Sequence, residues 1–145
     1  MKPEDMAALM ARAYRHQAPW GAADIAALSA RPVTRLIGAP EGFLIAQVVA
    51  DEAEILALAT DPAAQRQGVA SDLLTQFHTL CASEGVTRAV LDVAHDNDPA
   101  LALYTRFGYA ETARRAGYYR RPDGSRADAL LMARAIRPDN AASPA

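Results

Sequence analysis

The sequence predicts an α/β fold, a sandwich of a mixed sheet and flanking helices. The chain has 145 residues, of which 51% are hydrophobic, enough to bury the core of one ordinary domain. Its segments alternate between helical and strand patterns, and one strand–helix–strand unit requires a parallel strand pair. We expect residues 1–136 to form a single domain and residues 137–145, which carry little apolar surface, to be a disordered tail.

The first half of the chain is predicted to form two helices and an antiparallel meander. Apolar residues recur at helical spacing near the N-terminus, at Met6, Leu9, Met10, Ala13 and Tyr14. A second short helix is predicted from about residue 22 to 28. Three apolar runs follow, separated by the turn signals Pro40-Glu41-Gly42 and Asp51-Glu52. These runs predict strands at 34–39, 43–50 and 53–60.

The second half is predicted to alternate helices and strands. Apolar residues from Val69 to Cys81 share one helix face, and Gly85 ends that helix. The β-rich segment 86–93 should pair parallel to the strand before the helix. A short helix from Pro99 to Phe107 follows, and two strands are predicted at 109–115 and 127–136. Between these strands, residues 117–124 are predicted to form a turn-rich loop that exposes tyrosines and arginines.

Charge and composition argue against several classes of function. Lys and Arg number 15 against 17 Asp and Glu, which gives a net charge of −2, so nothing favours nucleic acid or an anionic lipid as a partner. No apolar run approaches the ~20 residues of a membrane span, and the N-terminus lacks the pattern of a signal peptide. The single cysteine, Cys81, excludes an internal disulfide. These features predict a cytoplasmic protein.

The segment from Asp61 to Ser71, DPAAQRQGVAS, predicts a phosphate site. It follows an apolar strand and opens an amphipathic helix, where backbone N–H groups have no partner inside the helix and the macrodipole adds positive potential. Gly68 allows an anion to approach the backbone because it has no Cβ. The pattern QxxGxA lacks the lysine of a Walker loop and the glycines of a dinucleotide-binding turn.

Further motifs follow this loop in order, and together they resemble the GNAT acetyltransferases. They are LDV at 91–93, Asn97, and LYTRFGY at 103–109. Within that superfamily the chain is similar to the RimI-type protein N-terminal alanine acetyltransferases. The supporting stretches are Ala18-Pro19-Trp20, AQVVADEAE at 46–54, Tyr118-Tyr119, DG at 123–124 and DALLM at 128–132. The resemblance covers nearly the whole chain and implies the GNAT fold, a mostly antiparallel sheet with a central parallel pair, flanked by helices.

The resemblance implies that acetyl-CoA is the co-substrate, and we expect no metal. The pyrophosphate would lie on the amides of residues 66–71, with Arg66 as an additional cation or a solvated side chain. The pantetheine arm would run between the two strands that flank the loop, where one N–H would polarise the thioester carbonyl. Asn97 either contacts the cofactor, caps the next helix, or does both. The implied donor contacts are Leu58, Ala59, Thr60, Arg66, Gln67, Gly68, Val69, Ala70, Ser71 and Asn97.

Acetyl transfer by direct attack of an amine needs a base and an acid. The family pattern assigns the acid to Tyr104, a phenol that keeps its proton at neutral pH; the alternative is a tyrosine packed in the core. RimI-type enzymes carry a glutamate where this chain has Asp92. The shorter side chain would reach the amine through a bridging water, and His95 is a rival base. His78, near the flank of its helix, receives no role.

The acceptor is described less directly by the sequence. The N-terminal helices near Trp20 and the loop around Tyr118 and Tyr119 are predicted to form the walls of a peptide groove, although Trp20 is equally suited to filling the core. We expect acetylation of a protein N-terminus, with a ribosomal protein as the partner that the resemblance implies, by a monomer or weak dimer. The alternatives are acetylation of a small-molecule amine and, because of Asp92, a non-catalytic acyl-CoA-binding module.

Overall fold

The computed structural model describes residues 1–138, so most of the predicted tail, residues 139–145, lies outside the described residues. The described chain contains four α-helices: α1 Pro3–Ala13, α2 Ala22–Ser29, α3 Val69–Ser83 and α4 Asp98–Arg106. Its six strands are β1 Thr34–Ala39, β2 Gly42–Val49, β3 Glu52–Thr60, β4 Arg88–Ala94, β5 Ala110–Arg120 and β6 Arg126–Ala135. A short 3-10 turn at Pro62–Ala64 precedes α3 and was not predicted.

The six strands form one sheet in the order β1-β2-β3-β4-β6-β5. Only β3 and β4 pair in parallel, and the other neighbours are antiparallel. The helix α3 connects the parallel pair, as a crossover between adjacent parallel strands requires. The predicted fold class, a mostly antiparallel sheet with a central parallel pair and flanking helices, is therefore confirmed.

Two separate sets of helices cover the apolar side chains on the two faces of the sheet. On one face, α3 and Tyr104 of α4 pack on residues such as Ile55 and Leu91. On the other face, α1 and α2 pack on residues such as Phe43 and Ala57. Each helix buries apolar residues against the sheet. The charged residues of α1, α3 and α4 lie on their exposed sides, whereas the exposed side of α2 is mostly alanine.

The sheet divides into two arms at its centre. The parallel pairing of β3 with β4 ends at Ile55 and Leu91. Beyond that point β3 stays paired with β2 as far as Thr60, while β4 stays paired with β6 as far as Ala94. The register between β2 and β3 shifts at this point, because β3 contains one extra residue, Leu56. A bulge of this kind bends and twists its strand, and here it coincides with the separation of β3 from β4.

The end of β5 differs from the prediction. The first half of the loop predicted at 117–124 is strand, because β5 continues to Arg120 and only a tight turn joins it to β6. The register shifts between Arg115 and Tyr119, and Gly117 lies in this irregularity with φ 58°. The glycine therefore accommodates a bulge inside a strand, whereas its presence in the sequence had indicated a turn.

Candidate active site

The predicted phosphate loop joins β3 to α3 and presents unpaired backbone donors. Within the described residues, no hydrogen-bond partner is found for the backbone N–H groups from Arg66 to Ser71. Arg66 and Gly68 both have left-handed backbones, with φ 67° and 81°, and Gly68 is the N-cap of α3. Successive amides that lack partners beside a helix N-terminus form a concave anion-binding surface. The Arg66 side chain is exposed beside them.

The separation of β3 from β4 creates a cleft that opens toward this loop. Leu58, Ala59 and Thr60 pair with β2 on one side and have no strand partner on the side of β4. Burial raises the pKa of Tyr14, the residue that follows α1, and the neighbouring backbone of Leu58 lowers it in part. Sequence reasoning assigned Tyr14 only to the core face of a helix. Its hydroxyl lies beside the unpaired end of β3.

Tyr104 lies on the buried face of α4, with 7% of its surface exposed. Its ring meets that of Tyr109 edge-on, with centroids 5.8 Å apart. Burial raises the pKa of Tyr104, and the neighbouring Tyr14 phenol raises it further, so the hydroxyl keeps its proton throughout the neutral range. Tyr104 is thus both part of the core and electrostatically coupled to a group that lies in the cleft.

Two carboxylates face the α1–α2 side of the sheet next to the cleft. Asp92 alternates with the buried Leu91 and Val93 and therefore points away from α3. Glu54 of β3 lies on the same face, where Gln47 donates to its Oε1 at 3.0 Å. Partial burial raises the pKa of each carboxyl, and the charge of Asp92 raises the pKa of Glu54 further, while Arg115 opposes both shifts.

Glu54 is a functional candidate that sequence reasoning missed. The alternation of β3 does place Glu54 and Leu56 opposite the buried Ala53 and Ile55. What the sequence did not reveal is that β4 brings Asp92 beside it, because that proximity depends on the register of Glu54 with Val90. Two neighbouring half-buried carboxylates with raised pKa values are typical of a site that handles a cation or a proton.

His95 and Asn97 lie at the end of β4. The backbone N–H of His95 donates to the carbonyl of Asp128 at 2.9 Å, and its ring Nδ1 is 3.4 Å from the same oxygen. The ring is thus directed toward β6. Asn97 is the N-cap of α4, with its side-chain oxygen 3.4 Å from the Ala100 N–H. That long distance leaves the amide of Asn97 able to make further contacts.

The α1–α2 connection and the β5–β6 hairpin approach each other near the carboxylates. The Ala18 N–H donates to the carbonyl of Arg120 at 2.8 Å, which joins the two segments. Tyr119 is half-buried, and its pKa is raised by burial and by the charge of Asp92, whereas Tyr118 is exposed and stacks under Arg115. Trp20 packs against the α1–α2 core cluster and is only partly buried, which is compatible with both roles considered for it.

His78 belongs to the core, contrary to its placement near the flank of α3. It is 4% exposed, and its Nε2 lies 2.8 Å from the hydroxyl of Tyr109. The guanidinium of Arg134 approaches the other ring nitrogen at 3.5 Å and donates to the Phe107 carbonyl at 2.8 Å. Burial, reinforced by the Arg134 charge, lowers the pKa of His78 to about 4, so the ring is neutral at physiological pH.

The model of the acetyltransferase (GNAT) family matches residues 5–109, so the chain belongs to the GNAT acetyltransferases. Enzymes of this family take the acetyl group from acetyl-CoA. Among the described residues, no group of His, Cys, Asp and Glu side chains is arranged to hold a metal ion.

The curated relatives share one name. A [ribosomal protein bS18]-alanine N-acetyltransferase of Haemophilus ducreyi is 41% identical over 91 residues, which cover 63% of this chain and 63% of that protein. The Escherichia coli enzyme of the same name is 41% identical over 96 residues, covering 66% and 64%. The aligned part of the chain thus spans less than two thirds of the length of either relative. These similarities confirm the predicted resemblance to the RimI-type enzymes.

Solved structures agree with this assignment. The crystal structure of the Escherichia coli ribosomal-protein-S18-alanine N-acetyltransferase has a TM-score of 0.79 at 33% identity, covering 90% of this chain and 84% of that chain. Ard1 from Thermoplasma volcanium has a TM-score of 0.77 at 26% identity, covering 94% and 95%. Within residues 1–138, no helix is long and apolar enough to cross a membrane.

Proposed function

We propose that this chain transfers acetyl from acetyl-CoA to the N-terminal α-amine of a protein, and that an alanine-starting ribosomal protein is its acceptor. One observation carries most of the proposal. The sheet separates after Ile55 and Leu91, between unpaired loop amides on one side and the carboxylates Glu54 and Asp92 on the other. This arrangement offers a donor channel that ends beside groups suited to binding and deprotonating an amine.

On the donor side, the chain supplies mainly backbone groups. The amides from Arg66 to Ser71 would donate to the pyrophosphate, and each charge-assisted bond contributes roughly 1.5 to 3 kcal/mol when water is excluded. Leu58, Ala59 and Thr60 would meet the pantetheine arm, and Asn97 would contact it from the end of β4. Bound acetyl-CoA supplies an acetyl thioester. One N–H group of residues 58–60 would donate to the thioester carbonyl oxygen, and the backbone of Leu58, beside the Tyr14 hydroxyl, is the candidate.

The two carboxylates would divide the handling of the amine. Glu54, held by Gln47, binds the ammonium form through its charge. Asp92 then accepts one proton, through a bridging water where its shorter side chain requires one. The neutral amine attacks the thioester carbonyl, a C–N bond forms and the C–S bond breaks. Tyr104 gives its phenolic proton to the leaving sulfur, and its buried, proton-retaining hydroxyl suits that role. The attacking nitrogen loses its second proton as the amide forms, and this proton returns to the Tyr104 oxygen, directly or through water, so that the phenol is restored.

On the acceptor side, the groove would lie between the α1–α2 connection and the β5–β6 hairpin. Trp20, Tyr118 and Tyr119 provide flat apolar surface with polar edges, which suits an extended peptide. The curated relatives are named for alanine acetylation of bS18, and this supports a ribosomal protein as the partner. A ribosomal acceptor places the reaction in the cytoplasm. We propose that residues 1–136 act as one domain, in a monomer or weak dimer.

A turnover panel separates this function from acetylation of a small amine. The protein is incubated with acetyl-CoA and peptides that begin with alanine, with the same peptides blocked at the N-terminus, and with polyamines, aminoglycosides and amino acids. Release of CoA thiol is the measurement. Turnover of the free peptides alone is expected. Turnover of a small amine without any peptide would replace the proposed acceptor, and CoA binding without turnover would indicate a non-catalytic module.

A further inference from the structure

Arg106 connects the helix that carries Tyr104 with the phosphate loop. It lies in the last turn of α4, two positions after Tyr104, and its side chain is exposed to solvent. Its Nη2 donates to the Ser71 hydroxyl at 3.1 Å. Ser71 is in the first turn of α3, and its own backbone N–H is among the amides without a partner. The guanidinium therefore lies at the edge of the proposed anion site.

This guanidinium has no counter-ion within the described part of the chain. Five other arginines form ion pairs with carboxylates, namely Arg12, Arg35, Arg88, Arg114 and Arg121. Arg106 instead donates to a neutral hydroxyl and packs 5.9 Å from the centre of the Phe107 ring. A guanidinium has five donors in a planar fork, so one bond to a hydroxyl leaves the geometry needed for a phosphate available.

We propose that Arg106 binds a phosphate of CoA and thereby fixes the end of α4 that carries Tyr104; this inference rests on the proposed function. Ser71 would contribute twice, because its hydroxyl orients Arg106 while its N–H donates to the same phosphate. A phosphate held by both helices closes α4 onto α3. Arg106 is a donor-binding residue in this scheme, and its effect on Tyr104 is one of positioning.

Two phosphate groups of CoA could provide the anion. The pyrophosphate is favoured, because the partner of Arg106 is a residue of the amide-rich loop at the N-terminus of α3. The 3′-phosphate is the other source of the same chemistry. Comparison of CoA with dephospho-CoA, which lacks only the 3′-phosphate, distinguishes the two.

The first test measures binding of CoA by titration calorimetry. Arg106→Ala is expected to weaken CoA binding about tenfold at low salt, the size of one charge-assisted hydrogen bond. Arg106→Lys should recover part of the loss, because it keeps the charge and loses the planar fork. Arg88→Ala removes the same charge from the opposite end of β4 and should bind as the unchanged protein does. Equal binding by Arg106→Ala and the unchanged protein would overturn the inference.

The second test separates the phosphate contact from the chemistry. With dephospho-CoA, the loss in Arg106→Ala should persist if the pyrophosphate is the partner and vanish if it is the 3′-phosphate. With S-acetyl-pantetheine, which has no nucleotide phosphates, the variant and the unchanged protein should turn over equally. A defect that is just as large with S-acetyl-pantetheine would contradict phosphate binding. If the unchanged protein binds no CoA, the proposed donor site itself fails, whereas normal binding by both proteins rejects only the role of Arg106.

Discussion

At the scale of single residues, Tyr104 is the group whose role is most sharply testable. It is buried and retains its proton at neutral pH, and its ring packs against the ring of Tyr109. Tyr109 is a second buried phenol whose hydroxyl lies in a different environment. The structure therefore provides a matched pair of phenols on one side of the sheet. Tyr104 interacts electrostatically with Tyr14 at the cleft, whereas the hydroxyl of Tyr109 is hydrogen-bonded to His78 in the core.

Removal of the Tyr104 hydroxyl should slow the chemical step. We expect Tyr104→Phe to lower kcat by about 100-fold to 10,000-fold, the usual contribution of a positioned acid, with CoA affinity unchanged. Steady-state kinetics and calorimetry provide the two measurements. Tyr109→Phe, which loses its bond to His78, should keep kcat near that of the unchanged protein at a temperature where it is folded. Equal kcat in Tyr104→Phe would assign the residue to the core alone.

Substitutions of the two carboxylates should change different kinetic constants, kcat for Asp92 and KM for Glu54. Asp92→Asn should lower kcat, because the proton acceptor is lost. Glu54→Gln should mainly raise KM for the acceptor, because it removes the charge that binds the ammonium. Since partial burial raises the pKa of Asp92, the acid limb of kcat/KM should lie above the usual aspartate range. An acid limb that disappears in Glu54→Gln and persists in Asp92→Asn would exchange the two assignments.

His78 predicts how stability depends on pH. Its pKa is lowered to about 4 by burial, so its neutral form stabilises the fold above pH 6.5, the unfolded value, and this stabilisation is lost as the pH falls toward 4. The loss approaches about 1.4 kcal/mol per pH unit within that window. The titratable or charged groups that contact the His78 ring are the hydroxyl of Tyr109 and the guanidinium of Arg134.

Urea unfolding between pH 7 and pH 4 measures this effect. His78→Gln keeps a polar partner for Tyr109 but cannot take up the proton, so its free energy of unfolding should decline less steeply with acid. His16→Gln, a change outside both core clusters, should retain the slope. Identical slopes in His78→Gln and the unchanged protein would mean that other groups control acid unfolding.

At the scale of elements, the proposed donor site is formed by the junction of β3, the loop at residues 61–68 and α3. Gly68 has φ 81°, and a Cβ added there would meet no atom within 4 Å, so a substitution is opposed by backbone strain alone. Gly85 at the other end of α3 has φ 76° and equally open surroundings. The two glycines allow the same strain to be introduced with and without a change at the proposed phosphate site.

Valine at Gly68 should abolish CoA binding. A left-handed backbone costs a side-chain residue roughly 1 to 2 kcal/mol, and relief of that strain would turn the loop amides away from the phosphate. Calorimetric titration with CoA is the measurement. Gly85→Val should lose a similar amount of stability and bind CoA normally. Normal CoA binding by Gly68→Val would refute the phosphate loop.

The elements also show what the sequence could and could not predict. Local signals located nearly every helix and strand within two residues, because apolar spacing, Gly85 and the turns at residues 40–42 and 51–52 act locally. The end of β5 was missed, since it is an exposed edge strand without apolar alternation and its Gly117 lies in a bulge. Register is not local, and it alone brings Glu54 toward Asp92 and separates β3 from β4.

At the scale of the whole molecule, the sheet functions as two arms joined along a short parallel pairing. The proposed donor cleft opens where that pairing ends. The proposed acceptor groove lies on the face of the sheet that α1 and α2 cover, beside the connection between these helices. The donor motifs could be proposed from the sequence because they are contiguous in it. On the acceptor side the sequence suggested Asp92 and Tyr119 but not Glu54, because these three residues come from separate strands that only the folded sheet brings together.

Acetylation of a complete acceptor protein tests the central claim most directly. Ribosomal protein bS18 with an exposed N-terminal alanine is incubated with acetyl-CoA and the chain, and the product is mapped by peptide mass spectrometry. We predict one acetyl group per molecule, carried by the α-amine of the alanine, and none when Tyr104→Phe replaces the unchanged protein over the same short interval. Acetylation confined to lysine side chains, or no acetylation while CoA still binds, would contradict the account.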